Sequence, residues 1–273
     1  MNDAPAVVAL SGGIGGAKLA LGLSRVLDPA RLLVVANIAD DFEHMGLAIS
    51  PDVDTLMYTL AGLDNAELGW GRRDETWSFM ETLAALGGET WFRLGDRDLA
   101  VHIERTRRLQ AGEALSAITA DFCRRLGVAP RVLPASDDPV RTRVRSDEGW
   151  LDFQDWFVRR RAAPAVRVVE FVGAALARAH PDLLAAVAVA EAVVICPSNP
   201  FISIEPILAV PDVREALAAT RATVVAVSPI IGGRAVKGPT AKMMAELGSA
   251  PSARAVAERY RGLLDVYVAD HVD

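Results

Sequence analysis

Apolar runs of strand length recur along this chain at residues 7–10, 32–36, 166–171, 192–196, 224–227 and 264–268. Most are followed by a glycine, proline or asparagine break and then by apolar residues at helical spacing. A run that is apolar at consecutive positions needs cover on both faces, and strand, break and helix repeated in this way build a parallel sheet between two layers of helices. The expected fold is therefore α/β: a Rossmann-like, mostly parallel sheet flanked by helices in a three-layer α/β/α arrangement. With 273 residues, 51% of them hydrophobic, the chain can bury a large core as a single domain spanning 1–273.

The stretch between the second and third runs has a different pattern. Residues 75–127 read as helices broken at Gly87 and Gly88, and residues 131–161 carry short alternating segments around the turns DDP and DEG. Such segments suit a small antiparallel ribbon, whose core Trp150, Phe153, Trp156 and Phe157 can supply. We place an inserted cap of helices and β-ribbon at 72–162.

Charge and cysteine usage exclude several classes. A net charge of −6 and a pI near 5.3 argue against a nucleic-acid partner. Cys123 and Cys196 are far apart in apolar settings, which supports neither a disulfide framework nor a zinc cluster and fits a reducing, cytoplasmic location. Residues 1–10 lack the basic start of a leader, and the apolar stretch 183–196 is interrupted by Glu191 and too short to span a bilayer, so no membrane partner is expected.

The first chemical motif is VVALSGGIGGAKLALGL. A strand runs into Ser11, Gly12, Gly13, Ile14, Gly15 and Gly16, and a helix is predicted from about Ala17 with Lys18 in its first turn. Glycines let backbone amides come close to an anion, and a helix start offers free N–H groups with partial positive charge. The spacing is not that of a Walker loop and matches the dinucleotide fingerprint only loosely; a glycine-rich turn with no ligand is the other reading.

Two later loops follow apolar strands, at the edge where open α/β sheets bind ligands. PSNPFISIEPI offers Ser198, Asn199, Pro200 and Ser203 for a base or phosphate; SPIIGGRAVKGPTAKMM offers the flexible Gly232, Gly233 and Gly238 beside Arg234, Lys237 and Lys242. Helix caps and solvated lysines are the alternative.

NIADDFEHMGLAISPDVDT gathers Asp40, Asp41, Glu43, His44, Asp52 and Asp54 just after a strand. A diphosphate held on glycine amides usually travels with Mg²⁺, which takes carboxylate oxygens. Asp52 and Asp54 open a helix expected to reach Leu60; Asp52 suits its cap, and Asp54 is the better functional candidate, with Asp41 in support. In WFRLGDRDLAVHIERT, Arg93, Asp96, Arg97 and Asp98 crowd one glycine ahead of His102. An exposed salt-bridge cluster and a satisfied histidine on a helix face remain open for these residues.

Taken in order, SGGIGGAKL, NIADDFEHMGLAISPDVDT, FRLGDRD with AVHI, SDDPV, FQDWFV, CPSNPFISI, SPIIGGRAVKGP and LDVYVAD closely resemble the 2-phospho-L-lactate transferase family of coenzyme F420 biosynthesis. The resemblance implies Mg²⁺-dependent transfer of a phospho-lactyl or phospho-enolpyruvyl group from a guanosine diphospho donor to the ribityl hydroxyl of the deazaflavin Fo, with release of GMP. It implies a homodimer. It also implies Fo contacts at Asp54 and Arg93, to which Asp96 and His102 are joined as candidates, and a catalytic and metal-binding role for Asp54 with Asp41. On this reading the donor phosphates and nucleotide fall to Ser11, Gly12, Gly13, Gly15, Gly16, Lys18, Ser198, Asn199, Pro200, Ser203, Gly232, Gly233 and Lys237. The family pattern continues past LDVYVAD into another strand and helix, whereas this sequence stops at Asp273. The main rival is a nucleotide-sugar-binding regulator of a related group, which is not expected to carry LGDRD, SDDPV and FQDWFV.

Overall fold

The fold is described from a computed structural model for residues 5–65 and 67–273; residues 1–4, part of the stretch read above for a leader, lie outside the described residues. Strand β1 (Val7–Ser11) leads into α1 (Gly13–Val26) and β2 (Leu32–Ala36). The hairpin of β3 (Phe42–His44) and β4 (Leu47–Ile49) precedes α2 (Pro51–Leu60), and α3 (Ser78–Ala85), α4 (Asp96–Gln110) and α5 (Leu115–Arg125) follow. After β5 (Arg131–Pro134) come β6 (Arg141–Ser146), β7 (Gly149–Asp152) and β8 (Val166–Val172). Then α6 (Pro181–Val189), β9 (Ala192–Ile195), α7 (Glu205–Leu208), α8 (Val213–Ala219) and β10 (Thr223–Val227) alternate. A short hairpin of β11 (Ile230–Ile231) and β12 (Arg234–Ala235), helices α9 (Thr240–Glu246) and α10 (Ala253–Arg259), and β13 (Val266–Val268) end the chain.

The central sheet is parallel, in the order β13-β10-β9-β1-β2-β5. Alternation along each strand divides its side chains between two cores. Ala9, Leu32, Val34, Ala36 and Val132 pack with α1, α2 and α5 on one face. Val8, Leu10, Leu33, Val35, Leu133, Val193 and Ile195 pack on the other with α6, α8, α9 and α10 and with the inner side of the antiparallel sheet β7-β6-β8. This is the expected three-layer arrangement. The chain runs outward from β1 through β2 to β5 in one direction and from β9 through β10 to β13 in the other. The reversal between β1 and β9 is a topological switch point, and open α/β sheets bind ligands beyond the C-terminal strand ends at such a point.

One strand assignment changes. The apolar run at 166–171 is not in the central sheet: β8 pairs antiparallel with β6, setting Glu170 against Arg143. Arg167 and Glu170 interrupt the run, so β8 tolerates cover on one face only. The sixth parallel strand is β5, which lies within the stretch expected as an insertion; its Val132 and Leu133 are buried on opposite faces of the sheet. The span 72–162 is therefore not wholly an insertion. Trp156 and Phe153 are buried in the ribbon's core as expected, whereas Trp150 is 43% exposed. Among the described residues no helix is long and apolar enough to cross a membrane.

Candidate functional site

The glycine turn after β1 is tighter than its sequence suggests. Helix α1 starts at Gly13, not near Ala17, so the later glycines lie in its first turn. Gly13 has φ +62°, a left-handed conformation that favours glycine. A Cβ on Gly15 would strike the Pro197 carbonyl oxygen, and one on Gly16 would strike the hydroxyls of Ser11 and Ser198. The close approach is thus made by the chain that leaves β9. Two of the amides are taken by the protein itself: Gly12 N–H donates to Ser198 Oγ at 3.2 Å and Gly13 N–H to Asp52 Oδ1 at 2.6 Å. Asn199 Oδ1 accepts from Phe201 N–H and caps the turn that buries Pro200 and Ser203. Lys18 is exposed on α1, and Gly232 and Gly233 lie in the exposed β11–β12 hairpin. Lys237 reaches from that hairpin to the Gly69 carbonyl at 3.3 Å.

Beside the turn lies a buried acidic group. Asn37 Nδ2 donates to Asp52 Oδ2 at 2.9 Å and to Asp40 Oδ1 at 3.3 Å, bridging the end of β2 to the start of α2. Burial raises Asp40 well above the ordinary aspartate range, and the charges of Asp52 and Asp41 add to this. Burial raises Asp52 to about 6 against hydrogen bonds from Asn37 and Gly13. Asp41 is raised to about 7 by burial, offset in part by Arg141 and by the Ser50 hydroxyl, which donates to its Oδ2 at 2.9 Å. Asp41 Oδ1 has no partner among the described residues. Asp52, read as the cap of its own helix, instead meets the first turn of α1.

Two residues along α2, Asp54 faces the other way. Arg105 of α4 donates to it with both terminal nitrogens, Nη1 to Oδ2 at 3.0 Å and Nη2 to Oδ1. Both side chains are buried, Arg105 to 1% exposure. His102 Nδ1 lies 3.7 Å from Asp54 Oδ2, and its Nε2 lies 3.2 Å from Asp98 Oδ2. Tyr58 donates to Asp98 Oδ1 at 2.6 Å. Burial works to raise Asp98, but the hydrogen bond and charge of His102 and the Tyr58 hydroxyl hold it below the ordinary range. Asp54, Asp98 and His102 lie close enough for one ion to touch all three, yet Arg105 already lays positive charge on Asp54.

Of the residues in LGDRD, Asp98 joins this network and Asp96 does not. Asp96 accepts from Thr76 Oγ1 at 2.6 Å and from the N–H groups of Ser78 and Phe79, fixing the start of α3. Glu75 does the same for α4 through the N–H groups of Arg97 and Asp98. Arg93 is exposed, with its guanidinium 4.0 Å above the Trp77 ring. His44 is buried against the rings of Phe42, Trp91 and Phe92. The sequence reading missed Arg105, Asn37 and Tyr58. Arg105 had a signal: Asp98, His102 and Arg105 stand at i, i+4 and i+7, on one face of α4.

An α/β fold with a topological switch point, a glycine turn and buried acids at one helix start is an architecture shared by many nucleotide- and phosphate-binding enzymes. The family model described as 2-phospho-L-lactate transferase CofD matches residues 7–273. The phosphoenolpyruvate transferase of Streptomyces griseus is 45% identical over 273 residues, covering 98% of this chain and 86% of that protein. The phosphoenolpyruvate transferase of Streptomyces avermitilis is 47% identical over 274 residues with the same coverage, and that of Thermobifida fusca is 44% identical over 281. A crystal structure of protein BH3568 from Bacillus halodurans shares the fold, with TM-score 0.61, 18% identity and coverage of 97% of this chain and 80% of that one. The chain belongs to the 2-phospho-L-lactate transferase CofD family, enzymes that act as transferases in coenzyme F420 biosynthesis.

Proposed function

We propose that the protein moves a phospho-enolpyruvyl or phospho-lactyl group from a guanosine diphospho donor to the terminal ribityl hydroxyl of Fo, releasing GMP. The observation that carries this reading is the divergence of Asp52 and Asp54 in the first turn of α2, one bound to the glycine turn of α1 and the other to Arg105 of α4. One helix start thereby joins a donor end at the switch point to an acceptor end beside α4. The names of the relatives at 44–47% identity favour enolpyruvate as the three-carbon group.

In the transfer, the hydroxyl oxygen of Fo forms a bond to the phosphorus that carries the three-carbon acid. The bond from that phosphorus to the bridging oxygen breaks, and the oxygen leaves with GMP. Little covalent help is needed from the protein; positioning and charge carry most of the rate. Gly12 to Gly16 and Ser198 border the donor phosphates, and Asp54 receives the acceptor hydroxyl. Asp41, raised to about 7 and with Oδ1 free, is suited to take the hydroxyl proton near neutral pH.

Mg²⁺, when bound, would neutralise the diphosphate and the departing phosphate oxygens. Asn37 Nδ2 draws Asp40 Oδ1 and Asp52 Oδ2 together, and the charge of Asp52 raises Asp40; two buried carboxylates so placed fit a hard cation, so Asp40 and Asp52 are the residues that would hold it. Asp54, expected in that role, is paired with Arg105 and lies with Asp98 and His102 in a second group that could hold an ion.

Mass spectrometry of Fo incubated with the enzyme, Mg²⁺ and the lactyl, enolpyruvyl and glyceryl donors in competition tests the reading. Product bearing the enolpyruvyl group is expected. Fo recovered unchanged with every donor overturns it.

A further inference from the structure

We infer that Arg105 is a positioning residue of the transfer site, holding the Asp54 carboxylate in one direction for the acceptor hydroxyl. The inference rests on the reading above. Helix α4 also carries Arg97, Arg107 and Arg108, and these serve the surface: Arg97 is exposed, Arg107 pairs with Glu104, and Arg108 pairs with Glu113 and Asp121. Arg105 alone among them turns inward, where a buried charge pair adds little that a well-packed apolar pair would not. Its place is therefore better explained by what it does to Asp54 than by stability.

Geometry supports the role. A guanidinium is a planar fork that grips both oxygens of a carboxylate and stops it from rotating; an ammonium cannot do this. Each carboxylate oxygen has two acceptor positions, so Asp54 can bind Arg105 and still accept a hydroxyl. The fork is itself braced. His102 Nδ1 lies 3.3 Å from Arg105 Nη1, the Ala48 carbonyl accepts from Nη1 at 3.4 Å, and Asp98, to which Tyr58 donates, lies on the far side of His102.

The test uses Arg105→Lys, Asp54→Asn and the double variant Asp54→Asn/Arg105→Gln, each measured for Tm, for Fo binding by the absorbance of the bound deazaflavin, and for GDP binding by calorimetry. Arg105→Lys is expected to fold, to bind GDP as the wild type does, and to lose on the order of tenfold or more in Fo affinity or turnover, the loss of one charge-assisted hydrogen bond. A lowered Tm with Fo affinity and turnover intact means a structural role only and overturns the inference. If the lysine variant does not fold, the double variant decides: acting through Asp54, Arg105 adds no further loss beyond Asp54→Asn alone, whereas additive losses overturn the inference. A wild type that binds GDP but not Fo removes the functional reading first, and this inference with it.

Discussion

The backbone N–H of Gly13 donates to Asp52 Oδ1 at 2.6 Å, so the first turns of α1 and α2 share one carboxylate. An anion entering the glycine turn meets that carboxylate, and the charge on the buried acids governs how the turn behaves.

Stability should fall as pH rises from about 4 to 7. Asp40, Asp41 and Asp52 hold their protons more tightly folded than the ordinary aspartate value of 3.8, so their contribution is whole below that value, and the parts due to Asp52 and Asp41 are lost as pH passes through about 6 and about 7. Carboxylates held low, such as Asp98, act in the opposite sense only at more acid pH. His44, lowered by burial, opposes the trend as one group against three carboxyls. Thermal melts across this range should show a declining Tm, with a shallower decline in Asp41→Asn. A Tm that rises steadily to pH 8 removes these acids from the account.

The same acids predict a pH-dependent response to metal. Mg²⁺ should raise Tm at pH 8, where the carboxyls are charged and repel, and do little at pH 5, where protons compete for them. Asp40→Asn should abolish the rise, and Asp54→Asn should leave it. Differential scanning with and without Mg²⁺ separates the two acids, and loss of the rise in Asp54→Asn alone would return the metal to Asp54.

Gly15→Ala should cost about 1–3 kcal/mol of stability, because the added methyl meets a backbone carbonyl that has no room to move. GDP binding should weaken as well, since the Pro197 chain and the turn are displaced together. Denaturant unfolding at wild-type stability would show that the two segments are not in contact.

Arg93 and Asp96, three residues apart, should behave differently. Arg93→Ala loses a ring contact worth about 0.5–1 kcal/mol, so the fold should survive while the apparent KM for Fo rises severalfold. Asp96→Ala frees the start of α3 and should lower Tm by a few degrees with the KM for Fo nearly unchanged. Kinetics on both variants distinguishes a ligand contact from a helix cap, and a KM effect at Asp96 would restore it to the acceptor site.

The layers of the fold were legible because consecutive apolar positions such as 32–36 and 192–195 demand burial on two sides. Length misled at the edge: β5 has two fully apolar positions and looked like ribbon, while β8 has more apolar residues but needs one wet face. The acids of α2 were legible as chemistry, not as geometry. Nothing in their spacing tells that Asp52 turns to α1 and Asp54 to α4, since that depends on which helices pack beside α2. Arg105 was hidden among the surface arginines of α4, and only the face it shares with Asp98 and His102 sets it apart.

The bond from Gly12 to Ser198 spans 186 residues of chain. Strand β1 is made before every other strand of the sheet, yet it sits between β2 and β9, and its second neighbour emerges only with Ala192–Ile195. Until then β1 has one bare edge and the glycine turn lacks Ser198. The nascent chain therefore carries an unclosed centre while the residues between β1 and β9 are made, and that edge is the surface a chaperone would have to cover.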